Sequence, residues 1–257
     1  MTLSIDEFKH ILGECTDEER AAIFDYLKAR QPQHPLEKEW GVGAEVILSA
    51  ISRSSDLTKR GVRGIMAEAV FERNILTGLK GWEAVRFVED RPYDFLLRHS
   101  GGVVREARIQ VKLQRMRKQQ PMLASQANRH YPKDCFVVEV QKTRGGFDPQ
   151  TNEDTRPYRF GEFDILAVNM HPSTKNWNNF LYTLGDWLIP RHPNTALIEI
   201  FQPVPSVPSG EWTESLEVCL DWLTKGEQKR ILDIAPELLV RRRRAKRGKK
   251  KRRGKKR

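Results

Sequence analysis

Cysteine is scarce in this chain of 257 residues, where Cys15, Cys135 and Cys219 are odd in number and far apart. That spacing supports neither a disulfide framework nor a zinc pattern, and it indicates a reducing compartment. The N-terminus lacks a basic segment followed by an apolar one, and no apolar run approaches the ~18 residues that a membrane span requires. We therefore expect a soluble, cytoplasmic protein with no membrane partner.

Acidic residues are missing from residues 241–257, which contain 14 Lys or Arg. Without this tail the chain has 31 basic and 34 acidic residues, so the net charge of +11 describes the tail and the body is mildly acidic. A segment so charged and so poor in apolar residues is predicted to be disordered and to bind polyanions without reading their sequence. Its candidate nucleic-acid contacts are Arg241, Arg242, Arg243 and Arg244.

Residues 1–60 are predicted to form a helical N-terminal extension. Thr16 and Glu19 have the spacing of a capping box at the start of a helix with an apolar face. Prolines between residues 31 and 35 end that helix, and another helix is predicted at about Val42–Ile51. The segment has no catalytic pattern. A homodimer contact and a contact with DNA are both open for it.

Two segments with period-two alternation, Arg91–Arg98 and Glu106–Gln114, flank a Ser-Gly-Gly turn and predict a β-hairpin. On the second strand the apolar residues share one face, and the polar residues, including Gln110 and Lys112, share the other. The first strand contributes Asp94. Three polar groups of different type would therefore meet on one hairpin. A polar sheet face exposed to solvent is the alternative interpretation of the same pattern.

A helix is predicted from Ser55 to about Leu79, ahead of the hairpin. At about 100° per residue an apolar arc is formed by Ile65, Ala69, Phe71, Ile75, Leu76 and Leu79. Glu68 and Glu72 fall inside this arc. An ionised carboxylate turned toward a core is costly unless a cation or hydrogen-bond donors meet it. An ion pair is one way to meet that cost, and its candidate partners are Arg73, Arg86 and Arg91.

The motifs Pro92-Tyr-Asp94 and Gln110-Val-Lys112 resemble the two motifs of the PD-(D/E)XK nuclease superfamily. Two departures are present: a tyrosine separates Pro92 from Asp94, and Gln110 stands where an acidic residue is usual. The similarity extends through a later strand and its connection to a terminal strand, so it covers about residues 61–190. The later segments that carry it are Phe163–Val168 and Asn178–Pro190.

This resemblance implies an α/β fold with a restriction-endonuclease-like mixed β-sheet flanked by helices. Residues 61–201 would form the nuclease core and residues 202–240 a connector and a helix, followed by the tail at 241–257.

The resemblance also implies a Mg²⁺ site, with Mn²⁺ as an alternative ion. Asp94, the amide oxygen of Gln110 and Glu68 would be its ligands, with Glu72 as the substitute for Glu68, because hard cations prefer oxygen. Lys112 would position or deprotonate the attacking water and offset developing charge. A rival metal position is formed by Glu139 and Gln141, which share one face of a later strand.

Basic residues beside the hairpin are candidate nucleic-acid contacts. The segment Arg115–Arg129 is basic and glutamine-rich and leaves the sheet directly after the proposed site, although a solvated basic helix is the alternative. Arg144–Gly161 is a long loop, and loops of that length within a domain are often functional. The candidate contacts in the two segments are Arg115, Arg117, Lys118, Arg144, Arg156, Tyr158 and Arg159.

Together these features predict a Mg²⁺-dependent endonuclease that hydrolyses DNA, of restriction or repair type. It would be cytoplasmic and associated with the nucleoid, or nuclear in a eukaryotic cell. Gln110 removes a negative charge from the site. A second functional class is therefore the alternative, a nuclease-like protein that has lost catalysis and binds DNA or RNA. A third functional class, a ribosome- or RNA-associated protein, is indicated by the basic tail alone.

Overall fold

The computed structural model describes residues 4–30, 33–85, 87, 91–101, 106–142, 156–235 and 238. The chain divides into two compact units, Met1–Lys59 and Arg60–Arg257. The predicted tail at 241–257 lies outside the described residues. None of the described helices is long and apolar enough to cross a membrane.

The first unit is helical, with α1 at Ile5–Glu14, α2 at Asp17–Arg30, α3 at Pro35–Trp40 and α4 at Ala44–Arg53. The predicted capping box is present, because Thr16 N donates to Glu19 Oε2 at 2.8 Å and Glu19 N donates to Thr16 Oγ1 at 3.2 Å. These four helices bury none of their residues.

The second unit begins within α5, which spans Asp56–Val70. The predicted single helix to Leu79 is wrong, because α5 gives way to a π-helical turn at Phe71–Ile75 and a 3₁₀ turn at Leu76–Gly78. The amide of Leu76 bonds to the carbonyl of Phe71, five residues earlier, which shifts the phase of all later side chains. The predicted apolar arc is wrong within α5, where Ile65 is 65 % exposed, and it holds beyond α5, where Phe71 and Leu76 are buried.

A five-stranded mixed sheet forms the centre of this unit, in the order β1-β2-β3-β7-β8. Neighbouring strands are antiparallel except β3 and β7, which are parallel. The α/β class and the mixed sheet with helices are therefore confirmed. The strands are β1 Trp82–Val85, β2 Phe95–His99, β3 Glu106–Leu113, β7 Ile165–Asn169 and β8 Phe180–Leu184.

Two small two-stranded sheets and three further helices complete the described part of the unit. The predicted basic segment Arg115–Arg129 begins as a hairpin, because Lys118 and Gln119 both have positive φ at a tight turn. Its helix, at Ala124–Ala127, contains no basic residue, so the alternative of a solvated basic helix is wrong. The predicted last strand at Ala196–Phe201 lies a few residues early. The elements are β4 Met116–Arg117, β5 Gln120–Pro121, α6 Ala124–Ala127, β6 Phe136–Glu139, α7 His171–Thr174, β9 Phe201–Val204 and α8 Leu216–Lys225.

Both faces of the central sheet are covered. Ala107, Ile109 and Val111 of β3 pack with Ala67 and Phe71 in one core cluster. The opposite face of the neighbouring strand β7 enters a second cluster, which includes Leu166, Val168, Val138 and Tyr158. Gln110 and Lys112 pair in register with Leu166 and Val168, so the polar residues of β3 lie on this second face.

Candidate active site

The strand register brings Asp94 and Gln110 together. Phe95 pairs with Ile109, which places Asp94 opposite Gln110, and Asp94 N donates to Ile109 O at 3.0 Å. One carboxylate oxygen of Asp94 accepts hydrogen bonds from Val111 N, at 2.8 Å, and from Gln110 Nε2. The position of this carboxylate is therefore fixed by the backbone and the side chain of β3.

Gln110 is buried, with only 1 % of its surface exposed. Its Nε2 donates to Asp94 and, at 3.3 Å, to Val111 O, while its Oε1 accepts a hydrogen bond of 3.0 Å from the hydroxyl of Tyr158. Gln114, on the same face, is also buried. The interpretation of this face as a polar surface exposed to solvent is therefore wrong for its central residues.

Lys112 is half-buried on the same face. Its Nζ lies 5.6 Å from the centroid of the Tyr158 ring, within cation–π range. Burial lowers the pKa of the Lys112 ammonium, and the nearby charges of Asp94 and Glu68 act in the opposite direction. Lys112 is therefore a desolvated cation whose electrostatic partners are the two carboxylates predicted for the site.

Glu68 reaches this group from α5. Burial and the charge of Asp94 raise its pKa to about 7, against the opposing charge of Lys112. Burial likewise raises the pKa of Asp94, against the charge of Lys112 and the hydrogen bonds from Val111 N and Gln110. Of the ion-pair partners considered for Glu68, Arg86 lies outside the described residues, and the charges acting on Glu68 are those of Asp94 and Lys112.

Glu72, the substitute for Glu68, is exposed on the π-helical turn. Glu72 shares a helix face with Ile65 and Ala69, seven and three residues earlier, and this whole face is exposed. Among the described residues, Glu68 and not Glu72 joins Asp94 and Lys112.

Two carboxylates and one amide are the oxygen donors of this site. Within the described ranges no three His, Cys, Asp or Glu residues group as a metal site, so any metal there would depend on Asp94, Glu68 and a neutral ligand. Asp94 Oδ1 and the Glu68 carboxylate accept no hydrogen bond from a described side chain or backbone group. These oxygens suit a hard cation, because burial raises the pKa of both carboxyls in spite of the opposing charge of Lys112.

The orientation of Gln110 differs from the predicted ligand role. Its nitrogen faces Asp94 and its oxygen faces Tyr158, so the amide positions Asp94 and does not present its oxygen beside that carboxylate. A role as ligand requires rotation of the amide, which would exchange the two atoms.

At the rival metal position, the side chains of Glu139 and Gln141 already interact with other groups of the protein. Gln141 Nε2 donates to Glu139 Oε1, and Glu139 Oε2 forms an ion pair with Arg115. Lys142 pairs with Glu162 at 2.6 Å. The charge of Glu139 is thus compensated by Arg115, which makes this position a poorer cation site than Asp94 and Glu68.

The predicted nucleic-acid contacts lie in different environments. Arg117 and Lys118 are exposed at the β4–β5 turn, and Arg156 and Arg159 are exposed near the end of the predicted loop. Arg115 is partly buried in its ion pair with Glu139. Arg144 and the four tail residues Arg241, Arg242, Arg243 and Arg244 lie outside the described residues.

Tyr158 differs most from its predicted role. It is only 4 % exposed, packs edge-to-face against Phe163 and donates its hydroxyl to Gln110, so it is unable to reach a DNA groove. Lys142 Nζ lies 5.4 Å from the centroid of its ring. No local signal identifies this tyrosine as a site residue, since Gln110 precedes it by 48 positions.

The chain matches no protein-family model, no curated protein and no solved structure.

Proposed function

We propose that this protein is a Mg²⁺-dependent endonuclease that hydrolyses DNA phosphodiester bonds in a restriction-endonuclease-like core. The observation that carries the proposal is the convergence of Glu68, Asp94 and Lys112 from three separate segments into one electrostatically coupled group. Perturbed pKa values that come from burial together with specific charged neighbours are typical of functional sites.

Asp94 and Glu68 would hold the cation. Burial raises the pKa of both carboxyls, and the charge of Asp94 also raises the pKa of Glu68. A divalent cation between the two carboxylates would therefore offset the cost of burying their charges. When bound, Mg²⁺ or Mn²⁺ polarises a phosphoryl oxygen and makes a coordinated water more acidic. Gln110 would hold Asp94 in position through its amide nitrogen.

Lys112 would act on the phosphate or on the attacking water. Negative charge on a phosphodiester is redistributed as it is attacked, and a desolvated ammonium stabilises that charge more strongly than a solvated one. Its lowered pKa also brings proton transfer nearer to neutral pH. The ring of Tyr158 restricts the ammonium from one side.

A nicking assay on supercoiled plasmid DNA, with Mg²⁺ and Mn²⁺ titrated separately, tests the proposal. Lys112→Ala and Glu68→Gln should lower the cleavage rate by about 10²–10⁴-fold. Glu72→Gln is the matched control, because it makes the same substitution at an exposed glutamate four residues from Glu68. This variant should cleave at the wild-type rate. A wild-type protein that cuts neither DNA nor RNA with either metal would contradict the proposal.

A second function, a nuclease-like module that binds nucleic acid without cutting it, is favoured by one observation. Both ends of the Gln110 amide form hydrogen bonds without a cation, since its nitrogen donates to Asp94 and its oxygen accepts from the hydroxyl of Tyr158. For such a module, binding of DNA or RNA would be independent of Mg²⁺ and unchanged by Lys112→Ala.

A further inference from the structure

Basic side chains from three elements gather beyond the end of β3. Arg63 of α5 places Nη1 3.8 Å from Sδ of Met116 in β4, directly after Arg115 in the chain. The helix α7 lies at the same end of the strand, because Ser173 N donates to Gln114 Oε1 at 2.9 Å. Lys175 ends α7 in the left-handed conformation, with φ of 58°.

The charges of these residues act on one another. The pKa of Arg115 is lowered by burial and by the charge of Arg60, against the charge of Glu139. Burial and the charges of Lys175 and Arg63 lower the pKa of His171, which stacks on Trp177 with ring centroids 4.0 Å apart. The four residues Arg60, Arg63, Arg115 and Lys175 are called the basic cluster from here on.

The basic cluster is poorly compensated by acids. Arg115 pairs with Glu139, whereas Arg60, Arg63 and Lys175 form no ion pair with any carboxylate of the described residues. Two donors at this end of β3, Gln114 Nε2 and Arg115 Nε, also have no hydrogen-bond partner in the described ranges. Cations that repel one another in a body with net charge −3 indicate an anionic ligand.

The distance from the candidate active site suits a polymer of phosphates. Arg115 is the third residue after Lys112, and an extended chain spans at most about 3.6 Å per residue, so the two Cα atoms lie within about 11 Å. Along one strand of duplex DNA the charges recur every ~3.4 Å of helix axis, so this distance corresponds to about three nucleotides. Several separated cations at this range fit successive phosphates better than one phosphate ion.

We propose that Arg60, Arg63, Arg115 and Lys175 bind the sugar–phosphate backbone of the nucleic-acid strand that flanks the bond held at Asp94, Glu68 and Lys112. The identity of the ligand rests on the proposed nuclease function, while the binding itself requires no catalysis. The basic cluster would fix the position of the strand and would read no base sequence.

Binding by the full chain, measured by fluorescence anisotropy in EDTA, tests this proposal. Probes are labelled duplex DNA, single-stranded DNA and RNA of one sequence, and the observable is the slope of log K against log salt. In Arg60→Gln/Arg63→Gln/Lys175→Gln the magnitude of the slope for duplex DNA should fall by about 2–3, because each lost phosphate contact removes about 0.9. The tail is identical in all proteins, so the difference between slopes excludes it.

The matched control is Lys80→Gln/Arg98→Gln/Arg230→Gln, which removes the same charge from exposed positions outside the basic cluster. The slope for this control should differ from the wild-type slope by less than ~0.9, which is the contribution of one phosphate contact. Arg63 is half-buried, so Arg60→Gln/Lys175→Gln, which changes two exposed residues only, provides a second test if the triple variant is unstable. This pair should lower the magnitude of the slope by about 1–2.

The outcomes separate the two proposals. A slope in the cluster variants equal to that of the control overturns the basic cluster as a binding surface, whether or not the wild type cleaves DNA. A lowered slope in a protein that cuts no substrate with Mg²⁺ or Mn²⁺ supports the basic cluster and contradicts the nuclease. A similar fall in the magnitude of the slope for all three probes supports recognition of the sugar–phosphate backbone by the basic cluster. An unchanged slope for every probe overturns that recognition.

Discussion

The hydroxyl of Tyr158 donates a hydrogen bond of 3.0 Å to the amide oxygen of Gln110. This contact fixes which way the amide faces, and the amide nitrogen then donates to Asp94. The same aromatic ring lies beside the ammonium of Lys112. Tyr158 thus contacts both Gln110 and Lys112, and it connects the position of Asp94 to the packing of the second core cluster.

Tyr158→Phe should lower the free energy of unfolding by about 1–3 kcal/mol, because it leaves a buried acceptor on Gln110 without its donor. Urea denaturation measures the change. Tyr26→Phe is the control, since Tyr26 is exposed on α2 and should tolerate the loss of its hydroxyl. Equal stability of Tyr158→Phe and the wild type would show that the hydrogen bond is unimportant.

Glu68 should make stability depend on pH. Its pKa is about 7 in the fold and 4.5 as a free side chain, so the folded state favours the protonated form. Relative to Glu68→Gln, the wild type should therefore lose stability as pH rises from about 4.5 to about 7, and the loss should be complete above that range.

A difference of one pKa unit corresponds to about 1.4 kcal/mol, and because solvent reaches the carboxylate we expect a total loss of about 1–2 kcal/mol. Urea denaturation at pH 5 and pH 8 without divalent metal measures it, and other titrating groups cancel between the two proteins. A difference between wild type and Glu68→Gln that is constant with pH would contradict the burial of this carboxylate.

Divalent metal should stabilise the fold at pH 8 by binding the carboxylates of Asp94 and Glu68. A ligand that binds the folded state alone adds about 2.7 kcal/mol at a concentration 100 times its Kd. Mg²⁺ or Mn²⁺ should therefore raise the Tm of the wild type and of Glu72→Gln, and should leave the Tm of Asp94→Asn and Glu68→Gln nearly unchanged. Equal shifts in all four proteins would indicate that the metal binds elsewhere.

The hairpin could be predicted from sequence because its determinants are local. Alternation from Ala107 to Leu113 defines the two faces of β3 regardless of what covers them. The pairing of Phe95 with Ile109 then follows from a short connection between two strands. Asp94 and Gln110 were brought together by these local rules alone.

Other parts of the site depend on contacts that sequence periodicity does not encode. The predicted apolar arc places Ile65 and Ala69 in the core, but both are exposed, and α5 buries Ala67 instead. Tyr158 reaches Gln110 across 48 positions. The burial of Gln110 depends on the second core cluster, whose members come from β6, β7 and the segment near Tyr158.

Removal of residues 241–257, which lie outside the described residues, should weaken non-specific DNA binding. The segment carries 14 Lys or Arg, and each phosphate that such a residue neutralises contributes about 0.9 to the slope of log K against log salt. We expect a strongly flattened slope with an unchanged Tm. Unchanged salt dependence would assign the tail a different role, such as targeting.

Gln110→Glu distinguishes the nuclease from the binding module most sharply, because it affects the two in opposite ways. The substitution replaces the nitrogen that donates to Asp94 with a second carboxylate oxygen in a buried position, which costs stability in the absence of a cation. At a metal site the added charge is what a hard cation prefers, so Mg²⁺ or Mn²⁺ should restore the lost stability and preserve or alter the metal preference of cleavage.

Gln114→Glu is the matched control for this change. It introduces the same charge four residues further along the chain, just past the end of β3 and at the same 1 % exposure, but beside Ser173 and not beside Asp94. Both variants should have a lower Tm than the wild type in EDTA, and only Gln110→Glu should recover with metal. If metal rescues neither variant, then Asp94 and Gln110 form a hydrogen-bonded pair whose role is structural, and the binding module becomes the better account of this protein.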